Sequence, residues 1–112
     1  MSIFLPYPYT DGQLSDRVNQ LILKDYSSDQ NQEALRLILA AIDLTTLEAT
    51  DTDEKVKALC NQAMSFSSRN KGVPNVAAVC VYPPFVSLVR EQLRGSNIQV
   101  ASVATAFPSG QT

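Results

Sequence analysis

Strand-length apolar segments alternate with helix-patterned segments, and this alternation constrains the fold more than any other feature of the chain. Val76 to Tyr82 is an unbroken apolar run, the pattern of a parallel strand covered on both faces. Pro83 and Pro84 end it, and Pro84 suits the first turn of a helix. Phe85, Leu88, Val89 and Leu93 then recur at helical spacing as far as Gly95, a C′ residue by type. Val100 to Ala106 reads as a further strand. Upstream, Leu37 to Ile42 is apolar throughout and fits either element. A first strand is expected at about Ala40 to Leu44, directly before a polar turn. Between the first two strands, Val56, Leu59, Cys60, Ala63 and Met64 fall at i, i+3, i+4, i+7 and i+8. They predict an amphipathic helix from about Thr52 to Phe66. Asp51 followed by Glu54 resembles a capping box at its start.

Two more helices are expected before the first strand. Leu14, Val18, Leu21 and Ile22 predict one from about Gln13 to Lys24. Ser27, Ser28 and Asp29 interrupt it. A second begins near Asp29 and carries Ala34, Leu35, Ile38 and Leu39. Ser2 to Asp11, with Pro6, Tyr7, Pro8 and Tyr9, reads either as a disordered tail or as an extended arm that docks on another surface. The expected organisation is residues 1–28 as arm and helix, then residues 29–112 as an α/β portion. The order α-α-β-α-β-α-β implies parallel strands with right-handed crossovers.

The bulk numbers exclude several functions. A chain of 112 residues makes one small domain. Net charge is −2 with no basic excess, so no nucleic-acid partner is expected. There is no histidine, which removes the commonest general base and the commonest metal ligand. No metal site is expected. The apolar runs are too short to span a bilayer, and Met1 to Thr10 lacks the charge pattern of a signal peptide. With two cysteines and no secretory signal, a reducing cytoplasm is the expected compartment.

Within-strand alternation groups Ala41 with Asp43 and Thr45, Ala78 with Cys80 and Tyr82, and Ser102 with Ala104 and Ala106. These sets are small or polar. The alternate sets, including Ile42 and Leu44 and Val79 and Val81, are more apolar. One apolar face for helices and one crowded, partly polar face favour a barrel over a doubly wound sheet. Asp43 is the leading chemical candidate, because an acid beside a buried strand is costly unless paired or used. It serves either as a carboxylate for proton relay or substrate hydroxyls, or as a cap accepting loop N–H groups. Thr45 shares its face. Cys80 has no histidine or nearby base to activate it, and Cys60 reads as core. Lys24, Lys55, Lys57 and Lys71 all read as solvated cations, and none is on a strand. Neither a glycine-rich dinucleotide fingerprint nor a P-loop is present.

Three strings together carry a resemblance: Asp43-Leu-Thr-Thr-Leu47, Thr52-Asp-Glu-Lys-Val56 with Ala58-Leu59-Cys60, and Ala78 to Pro83, continued by Val103 to Gly110. In order and spacing they resemble the first three strands of the deoxyribose-phosphate aldolases. The resemblance covers roughly Ala41 to Gly110. It departs at Glu48, where an amide is familiar, at Pro84, where a basic residue is, and at Ala106, where an asparagine is. It implies the N-terminal part of a TIM (β/α)8 barrel, three parallel strands with helices, preceded by an N-terminal helical extension. The implied reaction is reversible cleavage of 2-deoxy-D-ribose 5-phosphate to D-glyceraldehyde 3-phosphate and acetaldehyde through a lysine Schiff base. Neither metal nor cofactor takes part. Asp43 would support proton transfer, and Thr45, Leu47, Cys80, Ala104 and Phe107 would line the substrate pocket. The family's reactive lysines belong to later strands. A whole barrel of this type has about 250 residues, so the chain is expected to be a truncated portion, inactive alone. Three strands leave open edges, and a homo-oligomer, most simply a two-fold dimer, is expected. The alternative is a self-associating α/β module without catalysis.

Overall fold

The computed structural model of the chain describes residues 7–25 and 27–109. Expectations for the arm before Tyr7 and for Gly110 lie outside the described residues. The chain divides into two compact units at residues 32 and 33. The division falls inside the second helix.

In the first unit, helix α1 covers Asp11–Ile22. It starts two residues earlier than its apolar pattern predicts, because Thr10 and Gln13 form a capping box. Thr10 Oγ1 accepts the Gln13 N–H at 3.3 Å, and Gln13 Oε1 accepts the Thr10 N–H at 2.8 Å. Two of the orphan donors of a helix start are thereby satisfied. No residue of α1 is buried. Helix α2 covers Asp29–Ala40 and carries Leu39 into the second unit, where Leu39 packs against the core.

The second unit is an open parallel sheet with helices. Its elements are β1 (Asp43–Thr45), α3 (Asp53–Arg69), β2 (Ala78–Val81), a 3-10 turn (Pro83–Phe85), α4 (Val86–Gln92) and β3 (Gln99–Ser102). The sheet order is β1-β2-β3, with both pairs parallel. Prolines at the start of the 3-10 turn lose no hydrogen bond there, since their missing donors would be orphans anyway. Gly95 takes φ +85° in the turn after α4, a backbone conformation that glycine tolerates best.

Further boundaries differ from the sequence pattern. Among them is that of β3, expected over Val100 to Ala106 but ending at Ser102, so that Ala104 lies past the strand and Ala106 in the turn after it. The apolar run from Leu37 continues α2 to Ala40, so β1 begins at Asp43 instead of ending beside it. The ladder is entered at Ile42, whose carbonyl accepts the Ala77 N–H at 2.9 Å. The start of α3 also shifts. Its N-cap is Thr52, whose hydroxyl accepts the Lys55 N–H at 3.4 Å, and not Asp51. The Asp51 carboxylate has other partners, described below.

The core lies on one side of the sheet. Val79 and Val81 of β2, Val56, Cys60 and Ala63 of α3, and Val89 of α4 are all fully buried, with Leu44 and Val100 packed against them. Burying each valine contributes about 1.5–3 kcal/mol. The register runs Asp43, Ala78, Gln99 across one row and Thr45, Cys80, Ala101 across another. The face away from α3 and α4 therefore carries Asp43, Thr45, Cys80 and Ala101. Within-strand alternation groups Ser102 with this face, but Ser102 aligns with Val81 on the helix side. A one-residue choice of register moves every side chain of a strand to the other face. Tyr82, grouped with Cys80 by alternation, leaves the strand and is buried in the core at 1% exposure.

Candidate functional site

Of the residues singled out in the sequence, the sheet brings Asp43, Thr45 and Cys80 onto one face. Asp43 is exposed, and its carboxylate has no hydrogen-bond or ion-pair partner among the described residues. Its carbonyl accepts the Thr45 hydroxyl at 3.0 Å. Asp43 is thus no loop cap, and its carboxylate is unoccupied. Cys80 is a half-buried free thiol on the central strand. Cys60 is fully buried, and burial pushes its thiol above the ordinary range, away from the reactive thiolate.

The other three candidates fall elsewhere. Leu47 is half-buried and packs against the hydrophobic core. Ala104 and Phe107 follow the end of β3, and both are exposed. Thr105 and Ala106 between them have φ of 56° and 57°, a left-handed pair that turns the chain sharply after the strand.

The segment joining β1 to α3 holds a polar cluster that the sequence reading missed. Thr46 follows β1 directly, and its N–H donates to the Cys80 carbonyl at 3.1 Å. Its hydroxyl donates to both Asp51 carboxylate oxygens, at 2.8 and 3.0 Å. The Glu48 N–H donates to Asp51 Oδ2 at 3.0 Å. Lys55 Nζ completes the shell at 2.6 Å from Asp51 Oδ1. The Asp51 side chain has no exposed surface, while the Lys55 side chain is 47% exposed. Lys55, a plain solvated cation by sequence, is the counter-ion of a buried acid. Burial by itself raises the Asp51 pKa. The Lys55 and Thr46 hydrogen bonds, the Glu48 N–H and the Lys55 charge outweigh it and hold the carboxyl below its ordinary value. One signal was legible: Asp51 and Lys55 stand four residues apart, the spacing of a helical ion pair.

Beside this cluster a cavity of about 380 Å³ is lined by Thr45, Thr46, Lys55, Ala58, Leu59 and Gln62. A larger depression, about 820 Å³, lies between α4 and the start of β3 and is lined in part by Arg90, Arg94 and Gln99. Asp43 does not line it. Among the described residues no group of three His, Cys, Asp or Glu side chains is placed to hold a metal ion. No helix among them is long and apolar enough to cross a membrane.

The chemistry available on the open face is thus a free carboxylate in one row of the parallel sheet and a hydroxyl and a thiol in the next row of that face. No family model matches the chain.

Proposed function

We propose that the chain carries the first three βα units of a barrel of the deoxyribose-phosphate aldolase type, with Asp43 as its supporting carboxylate. The observation that carries this reading is the placement of Asp43. It stands unpaired on the sheet face turned away from the helices, one pleat from Thr45 and beside the row of Cys80. In a closed barrel that face is the interior. There, Asp43 would relay a proton or hold a sugar hydroxyl, and Thr45 and Cys80 would form wall. Leu47, Ala104 and Phe107 belong to the same proposal through the resemblance, the last two on the segment after β3. The substrate class is a small sugar phosphate, cleaved between two carbons without a cofactor, in the cytoplasm.

By itself the 112-residue chain does not catalyse this reaction. A lysine that forms a Schiff base must lose solvation so that its amine is neutral near pH 7. Lys24, Lys55, Lys57 and Lys71 are all exposed, and none lies on a strand. In isolation the chain instead associates with a second copy through its open sheet.

The test is a graft. Residues 33–109 are joined to strands four to eight of a deoxyribose-phosphate aldolase, and cleavage of 2-deoxyribose 5-phosphate is measured. The expected result is a folded, active barrel that loses about 100-fold or more on Asp43→Asn. A folded graft without activity, or one indifferent to Asp43→Asn, overturns the reading. In the ungrafted chain, borohydride with substrate should trap no imine.

A further inference from the structure

Thr46 and Asp51 are the buried polar side chains among the described residues, and they are bonded to each other. Neither belongs to the open face. We infer that Asp51 is a positioning residue: its carboxylate fixes the end of β1, and with it the placement of Asp43 and Thr45, by tying Thr46 and Glu48 to the first turn of α3.

The need for such a tie follows from the sheet. β1 has three residues and is paired on one side only, to β2. A short edge strand frays readily, because few ladder bonds hold it. Past Thr45, the remaining rung is the Thr46 N–H to the Cys80 carbonyl. The hydroxyl of that same Thr46 enters the Asp51 carboxylate, so its backbone is held to β2 and its side chain to the helix start. The Glu48 N–H gives the carboxylate a second grip on the connection, and Lys55 anchors it to α3.

The ordinary alternative is that Asp51 merely starts the helix. The geometry argues otherwise, since Thr52 already supplies the N-cap oxygen. The two donors from the connection, Thr46 and Glu48, both lie on the strand side of Asp51. A carboxylate this enclosed is costly to bury without full pairing, and four contacts from three partners satisfy it. The inference concerns conformation alone and stands whether or not the aldolase reading holds.

Amide hydrogen exchange by NMR on the whole chain tests it. Asp51→Asn keeps the size of the side chain but removes an acceptor and the charge. Thr46→Val keeps the shape and removes the donor. In either variant the Glu48 and Thr46 amides should exchange about tenfold faster or more, as loss of a bond to a charged acceptor predicts. The Val79 and Val89 amides should stay within about twofold, and so should Val56, whose bond to the Thr52 carbonyl belongs to the helix start. The double variant should loosen the segment little more than either single one, because both remove the same bond. Unchanged Thr46 and Glu48 protection overturns the inference. So does a loss confined to the Val56 end, which makes Asp51 a helix cap. Should Asp51→Asn fail to fold, Thr46→Val decides, and equal loss of protection at Val79 and Val89 in that variant overturns the positioning role.

Discussion

The Thr46 hydroxyl donates to both carboxylate oxygens of Asp51, at 2.8 and 3.0 Å, with both residues buried. The acid is satisfied five residues away in sequence, on the far side of a turn.

This pairing predicts a specific acid sensitivity. The folded Asp51 pKa is held below its ordinary value, so its contribution is fully present above the unfolded value, about 3.9. As pH falls through that value the unfolded chain binds a proton first. Stability declines until the folded carboxyl protonates as well. The urea midpoint should therefore drop more steeply below pH ~4 in the parent than in Asp51→Asn. Asp25 and Glu54 are also held low, by Ser27 and by the helix start respectively, but both are retained in the variant and cancel in the comparison. Parallel profiles show that the bonds contribute nothing net.

Tyr82 points to a stabilising change. The side chain is 1% exposed and its hydroxyl has no partner among the described residues. A buried donor without a partner keeps its desolvation cost and gains nothing in return. Tyr82→Phe should raise stability by about 1 kcal/mol in urea unfolding. A loss of similar size would mean that the hydroxyl is satisfied in solution.

Glycine matters differently at two places. At Gly95, φ is +85°, yet an added Cβ would meet no heavy atom within 4 Å. The cost of Gly95→Ala is then conformational only, about 1 kcal/mol. Gly12, in the first turn of α1, has Thr10 Oγ1 at 3.9 Å from an added Cβ, an ordinary contact. Gly12→Ala should raise helix content in circular dichroism, by a propensity gain of up to about 1 kcal/mol. Equal effects at both positions would contradict the assigned turn.

Self-association is the fourth expectation. β1 and β3 each leave one edge unpaired, and Leu37, Ile38 and Phe107 are exposed at 67%, 59% and 63%. Open edges and uncovered apolar side chains favour pairing between chains. Sedimentation at micromolar concentration should give a dimer. A compact monomer that unfolds cooperatively would show that three strands suffice.

Sequence periodicity determined the order of helices and strands but not every boundary, since Ala40 belongs to a helix and Ala104 follows a strand. Val56 to Met64 and Val76 to Tyr82 are legible because amphipathic spacing and unbroken apolar runs are local properties. Asp43 and Thr45 on one face were legible for the same reason, since alternation needs only one strand. What alternation cannot supply is the register between strands. The pairing of Val81 with Ser102, which carries β3 one residue off the expected row, exists only once the sheet is assembled. The role of Asp51 was hidden likewise. As a local signal it reads as a helix cap, and Thr52 beside it reads as well. The choice between them was made by burial. Chain reversal after β1 brought the Thr46 hydroxyl, the Glu48 N–H and the Lys55 ammonium around one carboxylate, and only that tertiary enclosure makes the charge affordable inside the fold.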